Sequence, residues 1–253
     1  MIPTQILRVL STIRRSDARA LLMGGQACVL YGAAEYSRDL DLAVLATPPA
    51  LPALIAALDA LHATVIAVPP FEVQYLERGH AVHFRIPDDT AAPLRVDIMS
   101  RLRGVDPFPV LWERRTTIAL PDPEGGEEVL VEVLALEDLV AAKKTQRDKD
   151  WPMLRRLVDA SYAAARDGDI TEAQVSFWLA ELRSPAFLAE LVARCPDAAE
   201  RSLRPAVQAL LRGQDVEAAL AAEQAAIMAE DRAYWAPLRR ELEALRLDAR
   251  RAE

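Results

Sequence analysis

The pattern of apolar residues changes abruptly near residue 135, and this change limits the fold more than any other feature of the sequence. Short apolar runs bounded by proline, glycine and polar residues predict strands at 20–23, 40–45, 65–68, 81–86, 95–99, 116–120 and 129–134. Apolar residues at helical spacing predict helices at 3–15, 26–33 and 51–61. Beyond residue 136 the patterns are helical only. We therefore expect an α+β protein with a mixed-sheet core at 1–135 and a helical domain at 136–253.

The helical half carries several recognisable helix boundaries. Residues 136–150 are predicted to form one helix, and Thr171 to Gln174 form a capping-box pattern ahead of an apolar run. Asp215 is a candidate cap for a long alanine-rich helix that reaches about residue 249. We expect Pro237 to break that helix internally.

Composition and charge exclude several classes of protein. With 52% hydrophobic and 27% charged residues, the chain is not disordered as a whole, and two cysteines cannot build a disulfide scaffold. No apolar run is long enough for a membrane span, and the first residues do not resemble a signal peptide, so we expect a cytoplasmic protein. The net charge of −8 argues against a protein that coats nucleic acid, while it suits acidic pockets that bind divalent metals.

Asp39 and Asp41 are the strongest local signal for chemistry. If Asp39-Leu40-Asp41 is extended, both carboxylates face one side, while Leu40 and Leu42 face the core. Two carboxylates this close repel each other, and a divalent cation with oxygen ligands relieves that repulsion. The simpler alternative is a solvated turn that happens to contain two acids.

Two neighbouring features favour the metal interpretation. Gly24-Gly25 lies upstream between a predicted strand and a predicted helix, where backbone N–H groups can approach a phosphate. Asp97 lies downstream in a short strand with apolar neighbours. Three aspartates on adjacent strands beside a glycine turn would form a cluster able to hold two metal ions facing a triphosphate. The histidines are interpreted as ordinary surface or strand residues, His80 and His83 among them.

These residues together resemble the nucleotidyltransferase superfamily that includes DNA polymerase beta. The similarity runs through Gly24-Gly25-Gln26-Ala27, Gly32 and Ser37-Arg38-Asp39-Leu40-Asp41, with Asp97 as the third acid. It is greatest to the AbiEii-type and related toxin–antitoxin nucleotidyltransferases, which run Gly-x-x-Arg-x-Thr-x-Asp-x-Asp. Here Ser37 takes the threonine place, Glu35 takes the arginine place, and a second glycine stands where relatives carry serine.

A second segment resembles a helix of the same group that carries Asp-Leu-Ile/Val-x-x-Lys followed by Arg-x-Lys-Asp. It is the segment from Leu136 to Asp150. In one helix, Lys143, Arg147 and Asp150 would share a face. The resemblance implies that Lys143 and Arg147 contact triphosphate oxygens, with Asp150 holding one of them in place. The alternative is a solvated, charged helix.

The resemblance implies a metal-dependent enzyme that moves a nucleoside monophosphate from an NTP to an acceptor hydroxyl. Asp39, Asp41 and Asp97 would be the catalytic residues and the ligands of two Mg²⁺ ions, with Mn²⁺ as an alternative metal. Gly24, Gly25 and Ser37 would bind the nucleotide. The acceptor is open between an RNA end such as tRNA, a protein and a small molecule, and a cognate toxin or antitoxin is an expected partner. The competing hypothesis is an inactive, antitoxin-like binding module with the same fold.

Overall fold

The computed structural model describes residues 2–88, 91–121 and 128–252. Within these ranges seven strands form one mixed sheet: β1 (Ala20–Met23), β2 (Leu40–Val44), β3 (Thr64–Val65), β4 (Val82–Ile86), β5 (Leu94–Met99), β6 (Thr116–Leu120) and β7 (Val129–Val133). Their order in the sheet is β3-β4-β5-β2-β1-β7-β6. The pairs β2–β5 and β1–β7 are parallel, and the other neighbours are antiparallel.

Six helices lie before, between or directly after the strands in the first half of the chain, and six more follow in the second half of the described residues. Those of the first half are α1 (Thr4–Arg15), α2 (Gly24–Leu30), α3 (Leu51–Ala60), α4 (Val73–Arg78), α5 (Phe108–Glu113) and α6 (Leu136–Ala142). Those of the second half are α7 (Asp150–Ala165), α8 (Glu172–Glu181), α9 (Pro185–Arg194), α10 (Pro196–Arg201), α11 (Pro205–Leu211) and α12 (Val216–Ala252). The α+β class expected from the sequence is confirmed.

The chain divides into two compact units. One contains Met1–Ala142 and Trp235–Glu253, and the other contains Lys143–Tyr234. Compactness alone does not define independently folding domains, so the domain boundary between residues 135 and 136 stays a prediction. None of the described helices is both long and apolar enough to cross a membrane.

The first unit buries one side of the central strands against its helices. Strand residues at alternating positions are fully buried, including Leu40 and Leu42 of β2 and Val96 and Ile98 of β5. This alternation leaves the intervening side chains of β2 and β5 on the other face. The second unit has a core of its own, in which Tyr162 packs edge-on against Trp178 at 5.2 Å.

Several predicted boundaries of helices and strands are confirmed. Strand β1 occupies Ala20–Met23 and β6 occupies Thr116–Leu120, as predicted. Thr171 caps α8 in a full capping box with Gln174, and the Asp215 carboxylate accepts the backbone N–H of Ala218. In each case the strand or helix boundary depends on residues that are neighbours in the sequence, which is why the sequence could predict it.

Other predictions were wrong. Helix α2 begins at Gly24 and not at residue 26, because Gly24 takes a φ of +66° that allows the helix to start directly after β1. The strand predicted at 65–68 is limited to Thr64–Val65. Pro237 does not break α12, since a proline removes one helical hydrogen bond without having to end the helix.

Candidate functional site

Asp41 and Asp97 lie side by side in the central sheet. They are direct partners in the parallel pairing of β2 with β5, and His83 of β4 is the antiparallel partner of Asp97. Directly paired residues share a face of the sheet. The flanking residues Leu40 and Leu42 are fully buried on the opposite face, as the sequence predicted. The sheet therefore brings two of the three predicted aspartates together.

Asp39 stands just outside this pairing. Strand β2 begins at Leu40, so Asp39 lies in the bend that precedes it, and its side chain is exposed. The predicted extended Asp-x-Asp thus consists of Asp41, which is in the strand, and Asp39, which immediately precedes that strand. The charges of Asp97, Asp39 and Asp41 all raise the pKa of Arg95, after the larger effect of its hydrogen bond to Asp97. Three carboxylates therefore act on one guanidinium.

The Asp97 carboxylate is held by two neighbours. His83 Nδ1 lies 2.8 Å from Oδ1, Arg95 Nε donates to Oδ1 over 2.9 Å, and Arg95 Nη2 donates to Oδ2 over 3.1 Å. His83 Nδ1 also lies 3.1 Å from Arg95 Nη2, so the imidazole, the guanidinium and the carboxylate form one hydrogen-bonded group. Burial opposes ionisation of Asp97, but the hydrogen bonds and charges of His83 and Arg95 outweigh it and lower the pKa. Asp97 is therefore ionised at neutral pH and stays ionised at pH values well below neutral.

Because Gly24 and Gly25 have no side chains, the start of α2 lies in close contact with this cluster. A Cβ on Gly24 would lie 1.9 Å from Asp41 Oδ2, and one on Gly25 would lie 2.3 Å from Ser37 Oγ. The Gly25 N–H points to Asp41 Oδ2 over a long 3.4 Å. No other residue type fits such an approach without moving its neighbours. The predicted nucleotide residues Gly24, Gly25 and Ser37 are thus brought to the carboxylate cluster.

Gln26 fixes the loop that leads to the first aspartate. Its side chain is buried, and its Nε2 donates to the backbone oxygen of Ser37 over 2.7 Å. Ser37 Oγ in turn lies 3.4 Å from the backbone oxygen of Asp39, a weak contact. Helix α2 therefore positions the loop as well as the glycine turn.

The segment from Lys143 to Asp150 differs from the prediction. Helix α6 ends at Ala142 and α7 begins at Asp150, so the single helix expected over 136–150 is wrong. Thr145 Oγ1 donates to Asp150 Oδ2 over 2.6 Å and accepts the Arg147 N–H over 3.2 Å. These side-chain bonds compete with helical backbone bonds and favour a loop.

Lys143, Arg147 and Asp150 still meet, through the loop and not along a helix face. Lys143 Nζ lies 3.3 Å from Asp150 Oδ1, and Arg147 Nε lies 2.7 Å from Oδ2. The Lys143 side chain is 9% exposed and that of Arg147 is 56% exposed. Burial disfavours the ionised Asp150, but Lys143, Thr145 and Arg147 outweigh it and lower its pKa. Both cations are paired with Asp150, and Arg147 is the one whose side chain is more than half exposed.

Sequence reasoning missed His83, Arg95 and Gln26. Arg95 precedes Asp97 by two residues, so strand alternation alone places both on one face. His83 became visible only through the register of β4 against β5. The two alternating runs were a usable signal that β4 and β5 form a hairpin. Gln26 gave no comparable signal, because its partner is a backbone oxygen of a loop.

The donor chemistry of the cluster suits a hard cation, since Asp39, Asp41 and Asp97 offer carboxylate oxygens. In the described ranges, however, no group of three or more His, Cys, Asp or Glu side chains is placed to hold a metal ion. Arg95 supplies positive charge among the three acids instead. A bound cation would therefore take over a charge-neutralising role that Arg95 now fills.

The comparisons with known proteins add little. No family model and no curated protein matches the chain. An antigenic nucleotidyltransferase-like protein from Paracoccidioides brasiliensis aligns with 78% of this chain and 90% of its own, at 15% identity and a TM-score of 0.41. A provisionally assigned nucleotidyltransferase from H. pylori aligns with 90% of this chain and 94% of its own, at 14% identity and a TM-score of 0.40. Both scores are too low for either likeness to establish a shared fold or activity.

Proposed function

We propose that this protein is a metal-dependent nucleotidyltransferase that moves a nucleoside monophosphate from an NTP to an acceptor hydroxyl. The observation that carries the proposal is the pairing of Asp41 with Asp97 on the face of the sheet opposite the core. Asp39 precedes Asp41 by two residues, and the turn at Gly24 lies against the Asp41 carboxylate. A carboxylate cluster beside a close-approaching glycine backbone suits a phosphate-bearing substrate held with a cation.

Asp39 and Asp41 would hold the Mg²⁺ that accompanies the nucleotide, and Asp97 would be a ligand of the second ion. Mn²⁺ is an alternative for both. When bound, the metal would supply charge neutralisation at the phosphates and acidify the acceptor hydroxyl. The carboxylate oxygens of these three residues fit such an ion, provided that the Arg95 side chain moves away from Asp97.

The rest of the chemistry is positioning by the chain itself. The acceptor oxygen attacks the α-phosphorus, a new O–P bond forms, and the bond to the bridging oxygen of pyrophosphate breaks. The proton of the acceptor hydroxyl leaves to solvent, because the lowered pKa of Asp97 makes its carboxylate a weak base. The backbone at Gly24 and Gly25 would contact phosphate oxygens, and Ser37 would border the nucleotide. The acceptor needs only a reactive hydroxyl group, and it can be tRNA, a protein or a small molecule.

Binding and transfer measurements test the proposal together. Calorimetric titration with each NTP should give binding in Mg²⁺ and much weaker binding in EDTA. Incubation with α-labelled NTP, Mg²⁺ and total RNA or cell lysate should transfer label to an acceptor, and Asp41→Asn should abolish transfer. Equal affinity with and without the metal, together with no labelled product, would contradict the proposal.

A second candidate is a non-catalytic binding module that keeps the fold and acts on a cognate toxin, as an antitoxin-like partner. Two observations favour it: Asp97 is bound by His83 and Arg95, and Glu35, in the family's arginine place, is exposed. Under this alternative the protein would bind its partner equally well when Asp39 and Asp41 are both replaced by asparagine. Under the proposed activity, the same double variant would lose NTP-dependent transfer.

A further inference from the structure

The second compact unit contains an open cavity of about 590 Å³. Residues that contribute to its lining include Trp151, Arg155, Arg156, Asp159, Arg183 and Leu220. The size lies in the range of small-molecule sites. The lining includes none of the aspartates or glycines of the candidate active site, and neither Lys143 nor Arg147. The cavity therefore needs an explanation of its own.

Arg183 is the most unusual member of this lining. Its guanidinium lies over the Trp151 ring, 4.7 Å from the ring centre. Its Nε and Nη1 are buried and donate no hydrogen bond to any described residue. Burial and the charge of Arg204 lower the pKa of Arg183, while the charges of Glu181 and Glu223 raise it. Two buried N–H groups without an acceptor are costly, so they call for an explanation.

The other polar groups of the cavity are also incompletely paired. Arg156 is exposed at the cavity. Arg155 Nε donates to Ser184 Oγ over 2.9 Å and lies 3.4 Å from Asp159 Oδ2. Ser184 hydrogen-bonds the same oxygen of Asp159, whereas Asp159 Oδ1 is buried and accepts nothing from the described residues. The lining thus contains three arginines and two aspartates, and Asp159 Oδ1 with two nitrogens of Arg183 have no hydrogen-bond partner among the described residues.

We propose that this cavity binds a small organic molecule that carries an oxyanion, a phosphate or a carboxylate. Arg156 and, after a side-chain rotation, Arg183 would meet the oxyanion, since guanidinium groups suit both kinds of anion. Asp159 would accept a donor group of the ligand, and Leu220 with Trp151 would cover its apolar part. The site stands independently of nucleotidyl transfer, because it shares no residue with the carboxylate cluster.

Titration of the full chain with two simple oxyanions tests this site. In EDTA and at constant ionic strength, inorganic phosphate and acetate are each added against a chloride reference. The readouts are the melting temperature and the indole N–H signal of Trp151, assigned through Trp151→Phe. We expect a saturable shift of that signal and a higher melting temperature with at least one oxyanion, and the stronger of the two identifies the anion class. No shift beyond that caused by chloride would overturn the proposal.

Variants separate the cavity from other anion sites. Arg156→Gln should weaken oxyanion binding about tenfold or more, as expected for loss of a charged hydrogen bond. Arg183→Met should do the same, because it removes the guanidinium that would meet the oxyanion. Arg212→Ala, an exposed arginine outside the cavity lining, is the matched control and should bind like the unmodified protein.

The remaining outcomes also decide the proposal. Arg95→Gln, which removes the guanidinium of the candidate active site, should retain oxyanion binding, and if it does not, the anion is bound at that site and the proposal is overturned. Unchanged affinity in Arg156→Gln would overturn it as well. If Arg183→Met does not fold, Arg183 is a structural residue, and Arg156→Gln with the Trp151 signal decides whether the cavity binds.

Discussion

Asp97 and Asp150 are both buried enough to need partners, yet their surroundings differ in charge. Asp150 is 4% exposed and is paired with Lys143 and Arg147, so two cations face one carboxylate. Asp97 is 16% exposed and shares Arg95 with Asp39 and Asp41. The Asp97 group, called the first cluster below, places three carboxylates around one guanidinium, and the Asp150 group, called the second cluster, has two cations for one carboxylate.

This difference separates a carboxylate that holds the fold from carboxylates that are available to a ligand. A buried acid with matched cations has no electrostatic need for anything further. Asp39, Asp41 and Asp97 gather three negative charges around Arg95, and a divalent cation with oxygen ligands suits such a group. Substitutions at the two clusters should therefore act on different properties, stability at Asp150 and binding at Asp39 and Asp41.

The largest effect is expected from Asp150→Ala. It would leave the buried Lys143 ammonium without its carboxylate, and breaking a buried pair in this way costs about 3–5 kcal/mol in the free energy of unfolding. Urea denaturation followed by tryptophan fluorescence measures the loss. The double variant Lys143→Met/Asp150→Leu is the control, and it should recover most of the stability. A loss below about 1 kcal/mol in Asp150→Ala would show that the cluster is a solvated surface pair.

The next effect is expected at Gly24, where the backbone meets the Asp41 carboxylate. Gly24→Ala combines a left-handed φ of +66° with a Cβ placed 1.9 Å from Asp41 Oδ2. Gly32 has a φ of +74° and nothing within 4 Å of its added Cβ, so it is a matched control for φ alone. Gly32→Ala should cost about 1–2 kcal/mol and Gly24→Ala about 2–4 kcal/mol, since the contact with Asp41 adds to the strain. Equal losses in urea denaturation would mean that the approach to Asp41 is easily relieved.

Much of the first cluster could be predicted from sequence, because its signals are local. Alternation placed Leu40 and Leu42 in the core and Asp41 on the other face, and the glycine pair marked the turn. The alternating runs of β4 and β5 indicated a hairpin, but the connection from Ile86 to Leu94 is too long for a tight turn that fixes the register, so the pairing of His83 with Asp97 was missed. Pairing register depends on residues far apart in sequence, and propensity does not specify it.

The second cluster shows the opposite case. The sequence selected Lys143, Arg147 and Asp150, which do lie together, but it predicted one continuous helix where the structure has a loop between two helices. The sequence from Leu136 to Asp150 fits helical spacing, but the hydrogen bonds of Thr145 with Asp150 and with the Arg147 N–H favour a loop. Such side-chain competition with the backbone depends on the final positions of the groups. Sequence spacing alone therefore could not reveal it.

Arg147→Ala tests whether the second cluster also binds nucleotide. Because Arg147 is more than half exposed, we expect its loss to weaken Mg²⁺–NTP binding by about 1.5–3 kcal/mol, the range for hydrogen bonds to charged groups. Lys149→Ala, an exposed cation in the same loop, is the matched control, and Lys144→Ala removes a lysine already paired with Glu181. Equal and small effects of all three substitutions on calorimetric affinity would assign Arg147 to the fold alone.

The pH dependence of stability provides a smaller effect at Asp97. Its pKa is lower in the folded than in the unfolded protein, so its contribution is complete above the unfolded pKa near 3.9 and is lost as pH falls through the folded pKa. Asp97→Asn should therefore lower stability at pH 7, by less than about 1 kcal/mol because Arg95 is 46% exposed, and should matter less as pH falls below 4. Urea denaturation between pH 3 and 7 measures this, with the exposed Asp248→Asn as control. A difference between Asp97→Asn and the unmodified protein that grows on acidification would contradict the assignment.

The smallest change in stability, with a large change in binding, is expected from Asp39→Asn. Asp39 is exposed and lies among like charges near Arg95, so removing its charge relieves repulsion while it breaks no buried pair. The melting temperature without metal should stay level or rise slightly, corresponding to less than about 1 kcal/mol. Binding of Mg²⁺–NTP should be lost in calorimetry, because the cluster has lost the Asp39 carboxylate, one of its three acidic groups. The matched substitution Asp169→Asn removes an exposed aspartate that is not part of the cluster and should change neither property. A marked fall in melting temperature for Asp39→Asn, with nucleotide affinity intact, would mean that Asp39 supports the fold in the way Asp150 does, and the contrast between the two clusters would fail.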